Sequence, residues 1–121
     1  MAGAARRLIE EFWRIQDDGD YRRLVPLFAE DAVLEDPVFG TFRGRTAIAD
    51  FMARMVEEMR TRGVHFTAEE IQGDERVAWA RWTMHGPAGP RPGVGIYLVE
   101  NGRLVYYRDY LDPPRRSAPG S

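Results

Sequence analysis

The spacing of the apolar residues changes once along the chain, and this change limits the fold more than any other feature. In the first half, apolar residues recur at helical spacing, as at Leu8, Phe12 and Ile15. From Val64 onward, apolar and polar residues alternate instead, which is typical of strands. Helices followed by a run of strands predict an α+β fold. We expect a strongly curved antiparallel sheet wrapped around the helices, which leaves a cone whose open end is a natural place for a ligand pocket.

Three helices and five strands are predicted from this pattern and its turn signals. Asn101-Gly102 is a strong hairpin signal between the last two strands, and residues 37–44, with their Pro and Gly, are expected to form a loop. We predict one domain over residues 1–112 and a disordered tail, rich in Pro, Arg and Ser, over 113–121. The predicted helices cover 4–18, 21–28 and 47–61, and the predicted strands cover 32–36, 64–71, 76–85, 94–100 and 103–111.

The charge balance excludes several classes of partner. The 17 basic and 19 acidic residues are interleaved and give a net charge of −2, so no basic surface for nucleic acid or an anionic membrane is expected. No apolar run approaches the roughly 18 residues of a membrane-spanning helix, and the N-terminus lacks the apolar core of a secretory signal. We therefore expect a cytoplasmic protein with no nucleic-acid or membrane partner.

Missing residue types narrow the chemistry further. The chain contains no Cys and no Lys, which removes thiolate and Schiff-base catalysis. Its only serines, Ser117 and Ser121, lie in the predicted tail. The two histidines, His65 and His85, have no carboxylates at ligand spacing, so neither a metal nor another cofactor is predicted. Carboxylates, histidine, tyrosine, threonine and arginine remain as candidate catalytic groups.

Strand alternation places ionisable groups among aromatic residues on two strands. Arg81 shares a face with Trp79, and Asp109 shares a face with Tyr107 and Leu111. Two interpretations stay open for Arg81 and Asp109. They could form a buried ion pair that orders the sheet, since buried charges generally need partners. Alternatively, they could line a pocket in which a carboxylate with a shifted pKa performs acid–base chemistry.

Asp36 allows a similar choice between structure and chemistry. It follows Leu34 and Glu35 at the end of a predicted strand and precedes Pro37. Aspartate before proline is a common turn former because its side chain bonds to backbone groups further along the chain. The same carboxylate, held on an apolar wall, would also be suited to proton transfer.

Two segments span most of the chain, "FWRIQDDGDYRRLVPLFAEDAVLEDPVFGTFRGRTAI" and "NGRLVYYRDYLDP". Together they resemble the NTF2-like superfamily, in particular its ketosteroid isomerase, SnoaL-like cyclase and limonene-epoxide hydrolase branches. The resemblance implies an NTF2-like cone, in which a curved antiparallel sheet and three helices enclose a deep apolar pocket. It also implies a homodimer and a small apolar molecule as ligand.

The segment EDPVFG resembles the part of ketosteroid isomerases that carries the general base, which corresponds to Asp36. These enzymes stabilise the developing oxyanion with a tyrosine and a protonated aspartic acid. The tyrosine position corresponds to Phe12 and the acid position falls near Ile96. The resemblance therefore implies a proton-transfer enzyme in which Asp36 acts on an apolar carbonyl substrate and the two donor positions hold apolar side chains.

The segment YYRDYLDP resembles the last strand of limonene-epoxide hydrolases, whose first aspartate activates a water molecule. That aspartate corresponds to Asp109, their bridging arginine to Arg81 and their acid aspartate to Thr83. With Thr83 in the place of the acid, Asp36 or His85 would have to protonate the epoxide oxygen.

Three functions follow from these resemblances. The first is a cofactor-independent acid–base enzyme that isomerises, cyclises or dehydrates a small apolar carbonyl compound, with Asp36 moving the proton and with Asp109 and Arg81 setting the pocket charge. The second is an epoxide hydrolase, and the third is a non-catalytic protein that binds an apolar ligand. The predicted substrate-binding residues are Phe12, Trp13, Trp79, Thr83, His85, Ile96, Tyr107 and Leu111.

Overall fold

The computed structural model describes residues 2–111, so the predicted tail lies outside the described residues. The α+β class and the three helices are confirmed, although the second helix is a short 3₁₀ helix. In chain order the elements are α1 (Ala4–Asp17), the 3₁₀ helix (Tyr21–Leu27), β1 (Phe28–Asp36), β2 (Gly40–Arg43), α2 (Arg45–Arg62), β3 (His65–Gly73), β4 (Val77–His85), β5 (Arg91–Glu100) and β6 (Arg103–Leu111).

All six strands form one curved sheet in the order β2-β1-β6-β5-β4-β3. Of the five pairs of neighbouring strands, four are antiparallel as expected, whereas β1 and β6 are parallel. The prediction of a purely antiparallel sheet was therefore wrong, and the sheet is mixed. The physical reason is that β2 folds back on one edge of β1, which leaves the other edge free for β6, and the apolar pattern carries no information on strand direction.

Strand β2 was also missed, because residues 37–44 were predicted to be a loop. In the structure, Leu34 pairs with Phe42 and Asp36 with Gly40, so the chain turns over residues 37–39. Gly40 has φ 101°, a conformation that favours glycine over other residues. Pro37 and Gly40 therefore belong to a tight hairpin, and β1 itself begins at Phe28, four residues earlier than predicted.

Local interactions fix where the 3₁₀ helix begins and where α2 ends. Asp20 caps the start of the 3₁₀ helix, since its side chain accepts a hydrogen bond from the backbone N–H of Arg22 at 3.2 Å. Helix α2 ends at Gly63, which has φ 65° and closes the last turn in the left-handed conformation. Among residues 2–111, no helix is both long and apolar enough to cross a membrane.

The core lies between the helices and the inner face of the sheet. Ile9 and Phe12 of α1 are buried, and so are Ala78 and Ala80 of β4. Small side chains on β4 let α1 approach the sheet closely, because neither alanine extends beyond its Cβ. Burying each large apolar side chain contributes roughly 1.5–3 kcal/mol. This packing fixes which face of β4 turns inward, and with it the residues that can reach a pocket.

Candidate active site

A cavity of about 60 Å³ lies at the open end between the helices and the sheet. It continues into a mouth of about 200 Å³, which shares five lining residues with the inner cavity: Asp36, Met55, Phe66, Trp82 and Asp109. The remaining inner residues are Phe12, Trp13, Gln16, Tyr21, Leu24, Leu34, Phe51, Met52 and Tyr107. Two carboxyl groups thus stand in a mainly apolar enclosure.

Asp36 is both a turn residue and a wall of the cavity. Its Oδ1 accepts hydrogen bonds from the backbone N–H groups of Val38 at 2.8 Å and Phe39 at 2.9 Å. Both hydrogen bonds go to Oδ1, so Oδ2 takes no part in the turn. The two predicted roles are therefore compatible, because the turn fixes the carboxyl group at the end of β1 where it also lines the cavity.

Asp109 occupies a different environment on β6. Its Oδ2 accepts a hydrogen bond from the Tyr107 hydroxyl at 2.6 Å, whereas Oδ1 is buried and has no hydrogen-bond partner among residues 2–111. Removal from water raises the pKa of Asp109 from its ordinary value of 3.8 to about 8. The Tyr107 bond lowers this pKa, the negative charge of Asp36 raises it, and the Trp82 N–H lowers it. Asp109 is therefore mostly protonated at pH 7.

Aromatic residues form the floor behind Asp109. Tyr107 stacks on Tyr97 with ring centroids 4.7 Å apart, and the indole N–H of Trp13 donates to the Tyr97 hydroxyl at 3.0 Å. Burial raises the pKa of both tyrosines well above the usual range, so both keep their protons. Phe12 and Tyr107 form an edge-to-face contact with ring centroids 5.5 Å apart. The floor is therefore apolar at its surface and carries its hydroxyl groups in a protonated, hydrogen-bonding form.

Strand β5 contributes empty space rather than side chains. A Cβ on Gly95 would lie 2.6 Å from the Tyr97 hydroxyl and 3.0 Å from Asp109 Oδ1. Gly95 stands beside Asp109 in the sheet register. The glycine is required because any side chain there would occupy the place of these polar groups.

The structure divides the predicted site residues into two groups. Asp36, Asp109, Phe12, Trp13 and Tyr107 line the inner cavity, and Leu111 lines the mouth. The other five are on the outer face of the sheet, so the prediction that they share a pocket with Asp109 was wrong: Trp79, Arg81, Thr83, His85 and Ile96.

Arg81 illustrates the reason for this correction. Its side chain is 55% exposed and its Nε lies 3.7 Å from Glu70 Oε1 on the neighbouring strand β3. Neither the buried Arg81–Asp109 ion pair nor a pocket containing both residues is formed. The alternation along β4 was read correctly, but Ala78, Ala80 and Trp82 form the buried face because α1 packs against them.

Other outer-face residues have partners of their own. His85 Nε2 lies 2.8 Å from the Thr67 hydroxyl, and its ring stacks on His65 with centroids 4.7 Å apart. Ile96 stands between Trp79 and Arg108 in the register of β5, on the face opposite Tyr97. Across residues 2–111, no group of three or more His, Asp or Glu side chains is placed to hold a metal ion.

Sequence reasoning overlooked Trp82, which lines both the cavity and its mouth. A signal for it exists in β5, where Gly93 and Gly95 alternate with Val94 and precede Tyr97. Glycines at every second strand position indicate one face on which neighbouring strands need room. Trp82 is the neighbour of Gly93 in the register.

The comparisons with known proteins agree with this fold. The family model of the SnoaL-like domain matches residues 9–107, which is most of the chain. A search of the curated proteins found no match. Several matched solved structures are NTF2-like proteins of unknown function, so the chain has the NTF2-like fold.

Three other solved structures have the same fold at low sequence identity. A candidate ketosteroid isomerase from Kribbella flavida DSM 17836 is 18% identical, with a TM-score of 0.79 over 98% of this chain and 85% of that one. A candidate polyketide cyclase from Sinorhizobium meliloti is 21% identical, with a TM-score of 0.72 over 86% and 94% of the two chains. An LEH-like epoxide hydrolase from M. tuberculosis is 22% identical, with a TM-score of 0.70 over 92% and 84%.

Proposed function

The chain belongs to the SnoaL-like domain family, and we propose that it is a cofactor-independent acid–base enzyme acting on a small apolar carbonyl compound. One observation carries this proposal: two carboxyl groups, Asp36 and Asp109, line one apolar cavity but have opposite environments. Two backbone N–H groups hold Asp36 as an acceptor, whereas burial keeps Asp109 protonated at neutral pH. Two carboxyl groups with such different surroundings are typical of an acid and a base in one active site.

In the proposed reaction, Asp36 is the base. It takes a proton from the carbon next to the carbonyl, the C–H electron pair forms the new C=C bond, and the carbonyl electron pair moves onto oxygen. Asp109 donates a hydrogen bond to that oxygen, where negative charge develops. Return of the proton from Asp36 to a different carbon, as the electron pair on oxygen restores the carbonyl, completes an isomerisation. Alternatively, the enolate carbon attacks a second carbonyl, the first carbonyl is restored, and Asp36 gives its proton to the new alkoxide, which completes a cyclisation. A donor at the developing oxyanion typically accounts for 10²–10³-fold in rate.

The walls of the cavity suit a small apolar substrate. Met52, Met55, Phe66 and Leu34 surround the carboxyl groups and contribute no hydrogen-bonding side chains. Ligand pockets for drug-sized molecules usually occupy roughly 300–1,000 Å³, which exceeds the inner cavity and its mouth. We propose that the reacting end of the substrate enters the inner cavity and that its apolar remainder occupies the mouth.

The epoxide hydrolase remains the second candidate because Asp109 resembles the water-activating aspartate of that branch. Two observations weigh against it. Arg81, the counterpart of the bridging arginine, is on the outer face beside Glu70. A protonated Asp109 would also serve better as an acid than as the base that activates water.

The test is an incubation of the protein in deuterated water with β,γ-unsaturated ketones and cyclic epoxides, followed by mass spectrometry. We expect deuterium at carbon, lost in the Asp36→Asn variant and reduced by about 10²-fold or more in Asp109→Ala, which leaves no side-chain donor at that position. Glu35→Gln is the matched control, because Glu35 precedes Asp36 but bonds to Tyr106 on the other face of β1. If an epoxide gains the mass of one water in a reaction that depends on Asp109, the epoxide hydrolase is favoured. If no compound reacts, a non-catalytic ligand-binding protein is the remaining hypothesis.

A further inference from the structure

Trp82 presents a buried hydrogen-bond donor to the cavity and has no acceptor for it. The residue is 4% exposed, and its Nε1 makes no hydrogen bond within residues 2–111. An indole nitrogen is a donor only, and leaving a buried donor unpaired costs about 1–3 kcal/mol. The ring also makes an edge contact with Phe66, at 5.5 Å between centroids. Apolar packing makes no use of the indole N–H, so the role of this buried donor needs an explanation.

Gly93 holds the indole in this position. Trp82 and Gly93 are register partners, and a Cβ on Gly93 would lie 2.5 Å from Trp82 Cζ2 and 2.7 Å from Cζ3. The ring therefore lies flat across β5 at the place where a side chain is missing. Asp109 and Gly95 are partners in the adjacent row of the sheet. The two glycines thus open the inner face between β4 and β6, and Trp82 and Asp109 approach each other across it.

The second unpaired atom of the cavity is Asp109 Oδ1. Because Oδ2 accepts the Tyr107 hydroxyl, the carboxyl proton belongs on Oδ1, which then is a donor as well. The Trp82 N–H is close enough to Asp109 to act on it as a donor and lower its pKa, but neither Trp82 Nε1 nor Asp109 Oδ1 has a hydrogen-bond partner of normal geometry within residues 2–111. Two donors therefore face one cavity, and neither makes a hydrogen bond of normal geometry in the described part of the chain.

We propose that Trp82 Nε1 and Asp109 Oδ1 together bind one oxygen of the ligand, and that this oxygen is acceptor-only, as in a ketone, aldehyde or ester. The inference rests on the proposed function and deepens it by naming the second oxyanion donor and the head group of the substrate. Trp82 would touch the reacting oxygen and is thus a catalytic residue, whereas Gly93 is a positioning residue. An alcohol is less suited, because its oxygen could accept from both donors only by also finding an acceptor for its own O–H.

The experiment uses benzaldehyde as probe, since it offers an acceptor-only oxygen and has no α-hydrogen to react. Protein labelled with ¹⁵N has three indole N–H signals, from Trp13, Trp79 and Trp82. We expect benzaldehyde to move the Trp82 proton downfield and to leave the Trp79 signal in place. Trp82→Phe should raise the Kd about three- to tenfold, and benzyl alcohol should bind the wild type at least about threefold more weakly than benzaldehyde. Trp79→Phe is the matched control, on the outer face of the same strand, and should stay within about twofold.

Several outcomes would overturn the inference. An unmoved Trp82 signal at saturating benzaldehyde would do so without any variant, which covers the case in which Trp82→Phe fails to fold. Equal affinity of Trp82→Phe and wild type would do so as well, and equal binding of benzyl alcohol would refute the acceptor-only head group. Asp36→Asn separates this inference from the proposed function. If no protein exchanges deuterium but the Trp82 effects hold, the proposed reaction is wrong and the oxygen site stands. If exchange depends on Asp36 while Trp82→Phe changes neither rate nor affinity, the proposed reaction stands and the oxygen site is wrong.

Discussion

The protonated Asp109 makes a quantitative prediction about stability. In the folded protein its pKa lies near 8, compared with an ordinary value of 3.8 that the unfolded chain will show. Between these two values the folded state binds one more proton than the unfolded state, so the free energy of unfolding falls as pH rises. Each pH unit corresponds to about 1.36 kcal/mol, so the loss between pH 5 and pH 8 amounts to about 4 kcal/mol. This value is an upper bound, because water that enters around an ionised Asp109 lowers the cost.

The Asp109→Asn variant removes this dependence. Asparagine has nearly the same volume, stays neutral at every pH and keeps an oxygen that can accept the Tyr107 hydroxyl. We therefore expect similar stability of the two proteins near pH 4 and a widening advantage for the variant up to pH 8, after which the gap is constant. Asp20, Glu69 and Asp74 have lowered pKa values and stabilise the fold as pH rises through the acid range, but they contribute equally to both proteins.

Urea unfolding at pH 5, 6, 7, 8 and 9, followed by tryptophan fluorescence, measures this gap directly. Asp31→Asn is the matched control, since Asp31 is exposed on β1 and its replacement should leave the curve of stability against pH parallel to that of the wild type. If the wild type and Asp109→Asn run parallel from pH 5 to pH 9, Asp109 is ionised in the folded state and cannot be the proposed acid.

Three further predictions concern the site. First, kcat/KM for the proposed proton transfer should fall as pH rises through about 8, where Asp109 loses its proton, and a pH–rate profile of Asp109→Asn should lack this alkaline fall. Second, Gly93→Ala should displace the Trp82 ring and weaken benzaldehyde binding about as much as Trp82→Phe. A double-mutant cycle should show that the two losses are not additive, whereas additive losses would contradict a shared cause. Third, Asp36→Ala should lower the free energy of unfolding by about 1 kcal/mol through the two lost turn bonds, while Asp36→Asn, which can keep them, should not.

Local pattern was sufficient for every helix and for every strand except β2, but not for the arrangement of the strands. Helical spacing at Leu8, Phe12 and Ile15 predicted α1, and alternation from residue 64 onward predicted β3 to β6. The parallel pairing of β1 with β6 and the short β2 depend on contacts between residues far apart in the chain, such as Leu34 with Tyr107. No local spacing reports such contacts.

The same limit explains the errors in the site. Alternation correctly grouped Trp79 with Arg81 and Ala80 with Trp82, but it cannot tell which group turns inward. The choice is made by α1, which packs against the alanines and thereby turns Arg81 toward Glu70 and Trp82 toward the cavity. Shifting a strand by one residue relative to its neighbours moves every side chain of the strand to the opposite face of the sheet. Asp36 and Asp109 were candidates from the residues themselves, and the resemblance supplied the tertiary placement that alternation lacks.

The chemistry of this cavity depends as much on missing side chains as on those present. Three adjacent rows cross the inner face of β4, β5 and β6: Ala78 with Tyr97 and Tyr107, Ala80 with Gly95 and Asp109, and Trp82 with Gly93 and Leu111. In the last two rows the central strand contributes only a glycine. Asp109 is buried enough to stay protonated because aromatic rings surround it, and it has room for a ligand oxygen because Gly95 does not fill that room. Adding a methyl group at either glycine should therefore impair the site without altering any ionisable residue, which distinguishes a cavity built to admit an oxygen from an incidental packing defect.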